Sequence, residues 1–117
     1  MKNTSAVCLV LTTWPAGTAV EPFARALVEA RLAACVHVFQ SGHSFYRWQG
    51  AVEDAAERQV LIKTTRSRLP ALEARLREAH PYDVPEWLVC DAEASPAYAA
   101  WILDSVAVDV EAEAGDG

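Results

Sequence analysis

Residues 34–65 read Ala34-Cys-Val-His-Val-Phe-Gln-Ser-Gly-His-Ser-Phe-Tyr-Arg-Trp-Gln-Gly-Ala-Val-Glu-Asp-Ala-Ala-Glu-Arg-Gln-Val-Leu-Ile-Lys-Thr-Thr65. Two apolar, alternating segments flank Gln49-Gly50, a plausible two-residue turn because glycine accepts positive φ. The pattern predicts a long hairpin. Its outgoing strand bends or bulges at Gln40-Ser-Gly-His43, and its return strand is picked up by Glu57 and runs to Thr65. Each strand would hold about 15 residues, against the usual five or six. The excess must project beyond whatever covers the sheet, carrying Phe45, Tyr46 and Trp48 with it. Large aromatic groups are costly to leave in water, and edge strands invite pairing. The economical resolution is an oligomer in which hairpins pair between subunits.

Working outward, residues 6–13 form a continuous apolar run that suits a strand buried on both faces, and Pro15 to Gly17 break it. Thr18 and Glu21 have capping-box spacing, while Pro22 offers a different first helical turn. Val20, Phe23, Ala24, Leu27, Val28 and Leu32 then follow helical spacing, with the helix ending near Ala33. A second helix is predicted over 68–79, with Leu69, Leu72, Leu76 and Ala79 on one face and a Glu73–Arg77 pair outside. Residues 87–90 read as a fourth strand. Ser95-Pro96 is a strong helix start, and Ala99, Ile102, Leu103 and Val106 make the inner face of a last short helix. The order β-α-β-β-α-β-α predicts an α+β fold: a ferredoxin-like sandwich, with two helices on one face of a four-stranded antiparallel sheet, and an extra C-terminal helix.

The chain has 117 residues, about half of them apolar, and no repeat or internal linker, so one domain over 1–108 is expected. Its net charge of −6 argues against a nucleic-acid surface. Four acids, Asp109, Glu111, Glu113 and Asp116, crowd residues 109–117, an acidic stretch expected to be disordered; the body is nearly neutral. Cys8, Cys35 and Cys90 lie in or beside apolar runs without CxxC spacing, as reduced, buried thiols would. The N-terminal apolar run is too short for a signal sequence or a membrane span. The expectation is a cytoplasmic protein with no membrane or nucleic-acid partner.

No Gly-rich phosphate loop, GxSxG, HExxH or paired-cysteine motif is present, and no nucleophile with a matched base can be assembled. The chemistry concentrates in His80-Pro-Tyr-Asp-Val-Pro-Glu86, where two prolines hold an imidazole, a phenol and two carboxylates on an extended backbone. It is a Pro-rich connection that could also wall a polar site. His80 can cap a helix C-terminus. His43 should be solvated. Cys35 and His37, two apart on a strand, share a face and are either core and surface neighbours or a soft metal pair. Lys63 sits in an apolar strand, where a buried ammonium needs a carboxylate; Glu86 and Asp83 are the natural candidates, as a salt bridge or as acid–base machinery.

Four segments carry a family resemblance: Leu32-Ala-Ala-Cys-Val36, Ser44-Phe-Tyr-Arg-Trp-Gln-Gly50, Leu61-Ile-Lys-Thr-Thr65 and His80-Pro-Tyr-Asp-Val-Pro-Glu86. In order and spacing, from about Ala6 to Val106, the chain resembles the CutA family, the divalent-cation tolerance proteins. The resemblance implies a ferredoxin-like, PII-like homotrimer in the cytoplasm, without enzymatic activity, associated with metal homeostasis and copper(II) binding. Copper ligands proposed for the family correspond here to Thr12 in place of Cys and Ala79 in place of His, which leaves His80 and Glu86 as the metal ligands. A different reading is a PII-like sensor that binds a small polar or anionic ligand in a subunit-interface cleft. Tyr46, Trp48, Lys63, Thr65, His80, Tyr82 and Glu86 would line it.

Overall fold

In a computed structural model, which describes residues 6–108, the first apolar run is strand β1, Val7–Pro15. Helix α1, Glu21–Glu29, follows. Its cap position is Val20 with no side-chain hydrogen bond, and Pro22 sits in the first turn, so the proline start is used and the Thr18 capping box is not. The helix stops earlier than the apolar spacing implies. Arg31 adopts φ 60°, and the N–H groups of Arg31 and Leu32 return to the carbonyls of Val28 and Leu27. This is a Schellman ending, with buried Leu32 packing beside Leu27; it was hidden because arginine holds the position glycine usually takes.

Strands β2, Cys35–Trp48, and β3, Ala51–Thr65, form the hairpin. Gln49 and Gly50 both have positive φ, 51° and 83°, the geometry whose twist matches the flanking strands. Pairing begins at once at Trp48–Ala51, so β3 starts six residues before the expected pick-up at Glu57. The register shifts between Val38 and Ser41, overlapping only the start of the bend or bulge expected at Gln40–His43. After a short 3-10 turn at Arg66–Arg68 comes α2, Leu69–Ala79, with Leu72 and Leu76 buried. Strand β4, Leu88–Asp91, and helix α3, Pro96–Ser105, complete the described chain; Ser95 caps α3 by accepting from the Tyr98 N–H. The expected acidic tail, 109–117, lies outside the described residues.

The strands form one antiparallel sheet in the order β2-β3-β1-β4. Alternation along them separates two faces. Val10, Val60 and Ile62 pack with Leu27, Leu32, Leu72 and Leu76 under α1 and α2. On the opposite face α3 covers one end, where Ala99, Ile102 and Val106 bury Val7 and Ala34. Beyond that end two cross-strand rows, Cys35–Lys63–Leu9–Cys90 and His37–Leu61–Leu11–Leu88, are open, save that Tyr98 of α3 reaches Lys63. The thiols are free, but only Cys8 is buried. Cys90 is exposed on this open face, which corrects the expectation of three buried thiols. Burial pushes the Cys8 pKa up, away from the reactive thiolate.

Candidate functional site

Helix α2 is joined to strand β4 through the His80–Glu86 segment, whose course follows from its prolines. His80 precedes Pro81 and is driven to ψ 136°, which ends α2 at Ala79. The segment then lies beside the base of the projecting hairpin and is pinned at three points. His80 Nε2 lies 2.6 Å from the Thr13 carbonyl, and its Nδ1 lies 3.0 Å from the Tyr82 backbone N–H. A carbonyl can only accept and an amide N–H can only donate. The ring is therefore the neutral Nε2–H tautomer, with both nitrogens engaged. Second, the Tyr82 hydroxyl donates to Glu57 Oε2 at 2.8 Å. Third, Gln59 Nε2 donates to the Thr12 carbonyl at 2.7 Å and to Glu86 Oε2 at 2.9 Å.

Between the segment and the hairpin lies an open cleft of about 480 Å³. Tyr46, Trp48, Glu53 and Glu57 line it from the hairpin, and Pro81, Tyr82, Asp83 and Val84 from the segment. The hairpin register explains this grouping, because Tyr46 pairs with Glu53 and Trp48 with Ala51 on one face of the ribbon. Three aromatic rings and three carboxylates line the cleft, and among the described residues no lysine or arginine does. Burial, and then the bond to Glu57, push the Tyr82 pKa up to about 12, so its phenol is a neutral donor at any ordinary pH.

The residues expected at the site divide. Tyr46, Trp48 and Tyr82 meet in the cleft. His80 stands behind it, 7% exposed, with its ring 4.5 Å from Trp14 and 4.9 Å from Tyr82 between centroids. Glu86 is held by Gln59 outside the cleft lining. Lys63 and Thr65 are elsewhere. Lys63 pairs across the sheet with Leu9 and Cys35, roughly 13 Å along β3 from Gln59 at the usual rise per residue. The expected ion pair with Glu86 or Asp83 is thus not formed. Instead Lys63 Nζ donates to the Tyr98 hydroxyl of α3 at 3.2 Å, a bond that pushes the lysine pKa up. Thr65 is buried, with its hydroxyl 3.1 Å from that of Ser67. His43 is exposed and pairs with Asp54 at 3.1 Å. Glu53 and Glu57 are not among the residues expected at the site, although the Gln49-Gly50 turn fixes Tyr46 opposite Glu53 by counting outward.

The donor set does not fit a metal ion at His80 and Glu86. A ligating imidazole needs a free ring lone pair, and the one on Nδ1 is occupied. Ala79 offers no donor, and the Thr12 hydroxyl is fully buried without a hydrogen-bond partner among the described residues. Among those residues no three His, Cys, Asp or Glu side chains converge as ligands.

The family model for the CutA1 divalent ion tolerance protein matches residues 8–105. A divalent-cation tolerance protein CutA of Thermus thermophilus is 41% identical over 98 residues, covering 83% of this chain and 95% of that one. Its counterpart in Pectobacterium atrosepticum is 38% identical over 99 residues, covering 84% and 90%. The crystal structure of CutA from Xylella fastidiosa superposes with a TM-score of 0.82 at 38% identity, covering 88% of this chain and all of the other. With the ferredoxin-like sheet and the four motifs in register, these likenesses settle the family: the chain belongs to the CutA1 divalent ion tolerance proteins.

Proposed function

We propose that this protein serves divalent-cation tolerance without being an enzyme, as a homotrimer that binds a small molecule in the cleft between hairpin and His80–Glu86 segment, in the manner of a PII-like sensor. The cleft itself carries the reading. Its 480 Å³ volume lies in the range of small-molecule sites, and it combines aromatic walls with a few placed polar groups. Copper(II) held by His80 and Glu86 has less support, because the His80 ring nitrogens are both used within the chain. An anionic ligand in this cleft has less support, because within one subunit Lys63 lies away from it and donates to Tyr98. The free thiols suit a reducing compartment, and we assign the cytoplasm on that ground. No helix among the described residues is long and apolar enough to cross a membrane.

Native mass spectrometry of protein taken gently from cell extract tests the reading. A small molecule should accompany the protein and be lost in Trp48→Ala. Protein that comes out bare, in repeated preparations and with thermal shift silent across a metabolite panel, rejects it.

A further inference from the structure

The composition of the cleft points to the class of its ligand. Glu53, Glu57 and Asp83 face the same space as Tyr46, Trp48 and Tyr82, and among the described residues of the subunit no basic side chain lines it. An anion entering there would meet three carboxylates across a short distance and be repelled. A bare divalent cation finds no converging set of ligands among the described residues, and a strongly hydrated ion gains nothing from aromatic walls. A neutral apolar molecule would use the rings but leave the carboxylates facing it. One chemistry uses both. Aromatic faces attract a cation through their quadrupole, and carboxylates pair with its charge while the rings cover its hydrocarbon frame. We propose that the ligand of this cleft is an organic cation, an alkylammonium or polyamine, gripped between the aromatic rings and paired with the carboxylates. This rests on the cleft being the protein's ligand site. The bond from Tyr82 to Glu57 fits the assignment: it fixes that carboxylate at the cleft wall and keeps a neutral ring, not a phenolate, beside it.

Isothermal titration of the full chain tests this with four probes: putrescine, tetramethylammonium, the neutral 1,4-butanediol, and ATP as an anion. At least one ammonium should bind, with the diol at least tenfold weaker. Glu57→Gln, Glu53→Gln and Trp48→Ala should each weaken ammonium binding at least fivefold while the circular dichroism spectrum stays native. Using three variants protects the test against one that fails to fold. Diol binding as tight as ammonium binding overturns the proposal, and so does ammonium binding that none of the three variants weakens. ATP binding without ammonium binding overturns it too, yet leaves the cleft as a ligand site. Silence with all four probes overturns it as well; a small molecule still accompanying protein from cell extract would then preserve the sensor reading, and bare protein would remove both.

Discussion

Both nitrogens of the His80 ring are committed inside the chain, and that determines what its removal does. His80→Ala strands the Thr13 carbonyl and the Tyr82 N–H and opens a void against Trp14. Losing buried partners and packing together should cost about 2–4 kcal/mol, read as a lower midpoint in chemical denaturation. Cu(II) titration should be the same for the parent and the variant; a binding isotherm abolished by the substitution would restore His80 as a metal ligand. Its capping place was legible from the Ala79-His80-Pro81 sequence. Its ring partner was not, because Thr13 lies 67 residues away and only the packed sheet brings the two together. Tyr82 adds a pH signature. Its folded pKa of about 12 exceeds the unfolded value of 10, so the folded state holds its proton longer. Its contribution to stability is complete below about pH 10 and is lost as pH rises toward about 12. Melting temperature followed from pH 9 to 12 should fall more steeply for the parent than for Tyr82→Phe; parallel curves would mean that the phenol is not held in this way.

At the scale of elements the hairpin was the most legible part and also gives the sharpest test. Gln49 and Gly50 both occupy the left-handed region, where a side chain is strained unless it is that of Asn or Asp. Gln49→Asn should therefore stabilise by up to about 1 kcal/mol, and Gly50→Ala should destabilise by a similar amount. A Cβ at Gly50 meets no atom within 4 Å, so any cost there is backbone strain alone. Equal denaturation midpoints in all three proteins would show that the turn is not held in this form. The turn was readable because glycine marks it locally. The end of α1 was not, because Arg31 takes the left-handed position without a glycine to announce it. Its guanidinium donates to the carbonyls of Asp104 and Ser105 at the end of α3, a tertiary reward that no local pattern displays. The cleft was half legible for a similar reason. The His80–Glu86 segment and the aromatic residues stand out by composition, whereas Lys63 was assigned to the wrong partner. Sequence order gave its strand but not its distance from the loop.

The whole molecule is larger in reach than its length warrants. Its radius of gyration is 15.7 Å, against about 13 Å for a compact chain of this size, and it extends 49 × 32 × 24 Å. The hairpin causes this elongation, and on the ribbon face away from the cleft Phe45 is 74% and Val52 67% exposed. The second cause of incompleteness is the open sheet face. Leu9, Leu11, Leu61 and Leu88 lie there in adjacent rows, and an antiparallel sheet that meets water normally turns a polar face to it. Burying one leucine side chain contributes roughly 1.5–3 kcal/mol, so covering this face with other subunits yields far more than solvating it. A homotrimer is the expected state, and sedimentation equilibrium at micromolar concentration should give three times the chain mass. Leu61→Lys would place an ammonium in the middle of that face in every subunit and should shift the species toward monomer. Phe45→Ser, at the hairpin, should weaken the assembly without charging its centre. A parent protein that sediments as a monomer at micromolar concentration would remove the trimer. A trimer indifferent to Leu61→Lys would place the contact on the hairpins alone and leave the leucine face unexplained.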